Sequence, residues 1–177
     1  MAFAHLLPNA DVSNDWTIPG LSTVYSLLDD APATTIVALD SSCITSTSAG
    51  STCVVDLQDF TSDYSSINSI VLQTMSGNNG RGESHTLGTR LTSAGGDYYT
   101  ESSGSIAAHR NYVTTNYTTR TTYNGSSAWT EALLNSLRVR VDLDAHSGGT
   151  TKFTFLRVTV DYEPLETDNA IFFGTNF

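Results

Sequence analysis

The sequence predicts an all-β fold: an antiparallel β-sandwich, jelly-roll-like, with one short helix and a C-terminal extended arm. Three observations predict it. Only 15% of the 177 residues are charged, and the polar remainder is mostly Ser, Thr and Asn. The strand formers Thr, Val and Tyr are plentiful, whereas the helix formers Lys, Glu and Gln are scarce. Short runs of strand formers alternate with turn signals along the whole chain, a rhythm of sandwiches rather than of βαβ units. Finally, Leu137, Val139, Val141 and Leu143 alternate with Arg138, Arg140, Asp142 and Asp144, so one apolar strand face needs a second layer to bury it.

Taken in order, residues 3–7 read as a first strand with Phe3 and Leu6 or Leu7 inward, broken at Pro8. Residues 11–16 (DVSNDW) turn and end in a large aromatic. Residues 23–28 (TVYSLL) read as a strand closed by Asp29 and Asp30, and residues 34–39 (TTIVAL) as the next. In residues 53–60, Val55 and Leu57 share one face and Val54 takes the other. Residues 67–75 (INSIVLQTM) form a strong strand, ended by the loop SGNNGRG at residues 76–82. Alternation resumes over residues 85–91, turns at Gly95 and Gly96, and continues with Tyr98 and Tyr99. Residues 109–123 are almost pure strand former, with a phase slip near Thr115 and Asn116, and Asn124-Gly125 is a tight-turn signal.

The most readable stretch is residues 127–164. Thr130 is placed to cap a short helix, and Glu131 in its first turn suits the helix dipole. A strand from Leu137, a turn at His146-Ser147-Gly148-Gly149-Thr150 and a return strand from Phe153 to Tyr162 read as a hairpin. The apolar phase flips between Phe155 and Leu156. A β-bulge fits, and so does a strand buried on both faces. Pro164 ends the strand, which divides the chain into a sandwich domain, residues 1–164, and an arm, residues 165–177. The arm carries Ile171, Phe172, Phe173 and Phe177. Burying four such groups contributes on the order of 6–12 kcal/mol gross. Either the arm folds back on its own sandwich or it docks on a neighbouring subunit.

Eighteen acids against 8 bases give a net charge of −10. That argues against nucleic acid and anionic membranes as partners, since both require basic patches. Residues 1–8 have no basic start and no sustained apolar run, so synthesis in the cytoplasm without a secretory signal is the expectation. No cofactor or metal is expected: His5, His85, His109 and His146 make no ligand-spaced pair, and no nucleophile elbow is present. Asp142 and Asp144, beside Arg138 and Arg140, read as a solvated charge ladder. If residues 44–52 form a tight hairpin, Cys43 and Cys53 face each other and a cross-strand disulfide is geometrically open. In a reducing compartment two buried thiols are the alternative. Tyr98, Tyr99, Tyr112, Tyr117 and Tyr123 would make a sugar-stacking platform if exposed, and ordinary strand filler if not.

The segments LLPNADVSNDWT…YSLLDD and NGSSAWTEALLNSLRVRVDLDA…TKFTFLRVTVDYEP resemble a family of β-sandwich structural proteins of tailed bacteriophages, over residues 6–30 and 124–163. The resemblance implies a virion protein of capsid decoration or cement type. Its partners would be the major capsid protein and copies of itself, as a homotrimer, with the arm residues inserted into a neighbour. It carries over nothing catalytic, so no enzyme activity is expected. A tail-fibre or appendage module that binds a glycan is the alternative.

Overall fold

The computed structural model describes residues 1–20, 22–28, 43–93, 96–107 and 112–166. The expected strand at residues 34–39, His109, and the arm residues Ile171, Phe172, Phe173 and Phe177 lie outside the described residues. Among the described residues, ten strands and one α-helix follow in order: β1 (Ala2–Leu6), β2 (Pro8–Asn14), β3 (Ile44–Ser46), β4 (Thr52–Leu57), β5 (Tyr64–Asn78), β6 (His85–Ser93), β7 (Gly96–Ser102), β8 (Val113–Asn116), α1 (Glu131–Leu134), β9 (Arg138–His146) and β10 (Thr151–Pro164).

They build a two-layer antiparallel sandwich. One sheet runs β1-β10-β5-β8, with β3 also on β10; the other runs β2-β4-β9-β6-β7. The expected fold class is therefore what the chain adopts. β10 is the spine of the first sheet. β5 covers one of its edges along nearly the whole length. The other edge is tiled by β3 at Thr151 to Phe153, by the backbone of Leu28, and by β1 at Val158 to Tyr162.

The predicted hairpin of residues 137–162 is a correction. β9 and β10 are both formed, but they belong to different sheets, and the turn between them crosses from one layer to the other. The physical reason lies in the pattern itself. Each strand has one apolar face, and across the core the two faces bury each other. Leu137, Val139, Val141 and Leu143 join one buried cluster with Phe153, Leu156, Val158 and Val160. Pairing side by side would have left both faces still needing cover.

The phase flip in β10 has a definite form. The register with β5 skips between Phe153 and Phe155. Phe153 stays in the main core against Trp16, ring centroids 6.0 Å apart. Phe155 turns to the other face and is buried with Met75 and Tyr112. The bulge and the burial on both faces are thus the same event.

Residues 23–28 are a second correction. They form no strand but a 3-10 turn at Tyr25–Leu27. Asp11 explains it: its carboxylate accepts from the backbone N–H of Val24 at 2.9 Å and of Tyr25 at 2.8 Å. Two amides held in this way are lost to any strand ladder. The turn nonetheless delivers Val24, Leu27 and Leu28 to the core. Helix α1 forms as expected, with Thr130 Oγ1 accepting from the Leu133 amide at 3.3 Å.

Candidate functional site

At the edge of the second sheet, the start of β2, the end of β4 and the turn from α1 into β9 enclose an open cleft of about 340 Å³. Asn9, Asp56, Asp59, Asn135 and Arg138 supply its polar lining, with Ala10, Leu57, Ser136 and Leu137 completing the walls. Local folding places each group. Arg138 and Asp56 are opposite residues of β9 and β4. Their side chains meet at 2.7 Å, Nε to Oδ1, with each roughly two-fifths exposed. Asn135 stands just past α1, and its Oδ1 accepts from the Phe60 amide at 2.7 Å. That bond holds the carboxamide in place and leaves its NH2 end for a ligand. Asn9 and Asp59 are exposed. Chemically the cleft offers two carboxylates, two carboxamides and one guanidinium. All are planar groups that hydrogen-bond in pairs.

The residues singled out from sequence fall elsewhere. Cys43 and Cys53 are both buried, with no disulfide between them. They do not face each other in a hairpin, because β3 pairs with β10 while β4 pairs with β2 and β9. The Ser/Thr-rich loop between them crosses between the layers. Burial holds the Cys53 thiol well above its ordinary range, helped by the negative charge of Asp142.

The charge ladder on β9 is real but not freely solvated. Asp142 is 5% exposed. Its carboxylate lies 2.7 Å from Arg140 Nε and 3.3 Å from Arg90 Nε. Asp144 packs over Gly88, where an added Cβ would sit 2.3 Å from its Oδ2. Burial and the neighbouring Asp142 raise the pKa of Asp144.

Tyr99, Tyr112, Tyr117 and Tyr123 do not assemble a platform, and the Tyr98 side chain lies outside the described residues. Tyr117 is in the main core and Tyr112 lies under the outer face of the other sheet. Tyr99 is half-buried beneath Arg120, whose Cζ stands 4.2 Å from the ring centroid. Tyr123 packs edge-on against Trp129 at 5.8 Å. Their sequence rhythm reported strand filler. His5 sits at the surface against Thr159 Oγ1, 3.1 Å away. His85 and Ser76 are bonded at 2.9 Å, but both are buried, so no substrate reaches that pair. Among the described residues no group of three or more His, Cys, Asp or Glu converges as metal ligands.

Sequence reasoning missed Asn9, Asp59 and Asn135. They are isolated polar residues at element ends, and no spacing links them. Only the pairing of β2 with β4 and of β4 with β9 brings them together.

Fold and cleft together define a β-sandwich domain with an open polar recess at one edge. No protein-family model and no curated protein matches the chain. Among solved structures, it is similar to the CBM36-1 domain of a multidomain xylanase from the hindgut metagenome of Trinervitermes trinervoides, with 7% identity, a TM-score of 0.40, and 93% of this chain and 100% of that one covered. It is also similar to the C-terminal CBM6 of a marine laminarinase from Zobellia galactanivorans, at 8% identity, a TM-score of 0.40, and coverage of 89% and 99%. A truncated protein with CBM32 and alginate lyase domains aligns at 11% identity and a TM-score of 0.46, covering 93% of this chain and 35% of that one. The sandwich assignment follows from the strand pairings themselves.

Proposed function

We propose that this domain is a non-catalytic binding module that takes a carbohydrate in the cleft of Asn9, Asp56, Asp59, Asn135 and Arg138. The cleft is the observation that carries the reading. Vicinal hydroxyls of a sugar are donor and acceptor at once, and planar carboxylate, carboxamide and guanidinium groups bind them in pairs. Arg138 with Asp56, and Asn135 with the Phe60 amide, are already held by their own bonds. Less side-chain freedom is lost when a ligand arrives. The tyrosine platform is not part of this reading. The virion setting, capsid contact and trimeric assembly rest on the sequence resemblance alone, and an appendage that binds glycans is the form of that resemblance compatible with the cleft.

A glycan array followed by titration calorimetry on the best hit tests it. Asp59→Ala and Asn9→Ala alter exposed side chains, so the fold should persist. Each should weaken binding about ten-fold or more, the worth of one or two hydrogen bonds to a charged or planar partner. Absence of any glycan hit, or binding indifferent to both changes, would overturn the reading. Binding to phage shells in the absence of glycan binding would favour a cement role instead.

A further inference from the structure

Two loops carry the chain between the layers at one end of the sandwich: residues 79–84, from β5 to β6, and residues 147–150, from β9 to β10. They are pinned to each other. Asn79 Oδ1 accepts from the Thr150 amide at 2.7 Å, Asn78 Nδ2 donates to the Gly148 carbonyl at 3.1 Å, and Ser147 Oγ accepts from the Ser84 amide at 2.8 Å. Beneath them lie the strand ends, with Ser76 and Thr151 on one sheet and His85 and His146 on the other.

Ser76 and Thr151 share the inward parity of Phe153, and Ser76 Oγ meets His85 Nε2 at 2.9 Å. His85 and His146 are register partners. The backbone N–H and C=O of His85 both bond to Ile106, so towards β9 the two histidines form a pair without hydrogen bonds between them. That arrangement brings cross-strand side chains closest. Three buried atoms at this corner have no hydrogen-bond partner: His85 Nδ1, His146 Nε2 and Thr151 Oγ1. His85 is 1% exposed and Thr151 0%. Orphaned polar atoms are few in native folds, and three at one corner point to a shared occupant.

We propose that His85 Nδ1 and His146 Nε2 bind a divalent transition-metal ion of the zinc or copper type, with Thr151 Oγ1 as an oxygen donor beside it. Imidazole suits these ions. Ser76 holds the far nitrogen of His85, the outer contact that orients a ligating histidine and leaves the other nitrogen aimed at the ion. The neutral imidazole is the ligating form. Glu83, which accepts from Ser147 Oγ at 2.7 Å on the loops above, adds a carboxylate favourable to a cation.

The test uses the whole chain, stripped with a chelator and dialysed. Zn²⁺, Ni²⁺ and Cu²⁺ are titrated by calorimetry, and melting is followed with each ion. Saturable one-to-one binding with a raised Tm is expected, weakened about ten- to hundred-fold or more in His85→Gln and His146→Gln but unchanged in His5→Gln. Histidine side-chain NMR on the unmodified chain guards against variants that fail to fold, since the ion should shift the ring signals of His85 and His146 and leave those of His5 in place. No binding at millimolar ion would overturn the proposal and leave the corner to an internal water only. Equal binding by wild type and the double variant would overturn it as well, by assigning the ion to surface carboxylates.

Discussion

Lowering the pH from 7 towards 4 should weaken this fold chiefly through His85. The unfolded chain takes up a proton at this side chain near 6.5, whereas in the folded protein burial, and secondarily His146, lower its pKa to about 4. Between those values the unfolded state binds more protons than the native state, so stability falls as pH falls. The full contribution is present above 6.5 and gone near 4. The interval corresponds to about 3 kcal/mol. That is a large share of the 5–15 kcal/mol typical of a domain. His85 is 1% exposed, so solvent screening takes little from it. Trp16 and Trp129 are buried and report unfolding by fluorescence. Urea titrations at several pH values, in the presence of a chelator, give the pH slope for the wild type and for His85→Gln. The variant should lose most of the slope between pH 6.5 and 4, whatever its stability at pH 7. Parallel loss in both proteins would refute the reasoning and assign acid sensitivity to the carboxylates.

Two further outcomes follow from packing. Gly149 has φ +74°, and an added Cβ would stand 2.7 Å from Gly80 Cα and 2.7 Å from Asn78 Oδ1. Gly149→Ala should therefore cost at least 1–3 kcal/mol in urea unfolding, because backbone on the paired loop must yield. With Cys43 and Cys53 both buried and not bridged to each other, Ellman's reagent should find no reactive thiol in the native protein and two after denaturation, without prior reduction.

Much of this fold was legible because a single period carries it. The alternation of β9 named its inward face residue by residue, and Thr130 named its own cap. What stayed hidden was which sheet each strand joins. Alternation says that Val139 and Val158 are both inward, but not that they belong to opposite layers. The turn at Gly148 and Gly149 fits a hairpin and a crossing loop equally well; contacts with residues 78–84, far away in sequence, decide between them. Residues 23–28 have strand composition, and only the distant carboxylate of Asp11 turns them into a 3-10 turn. The cleft was the least visible part. Its members come from residues 9–10, 56–59 and 135–138, and each alone is an ordinary polar residue at an element end.

The position of β10 has a consequence for how the molecule comes into being. Its sheet cannot close until residues 151–164 are available, because Ala2 waits for Tyr162 and Tyr64 for Pro164. On a ribosome, all of residues 1–150 would be made before the central strand leaves the exit tunnel. Until then the edges of β1 and β5 that β10 will occupy remain open to any extended chain. The long sequence separation of these pairs also makes closure slow. A ribosome that stalls anywhere before residue 151 therefore leaves behind a chain with two unfilled edges, a form the cell must shield or degrade rather than a smaller version of the domain.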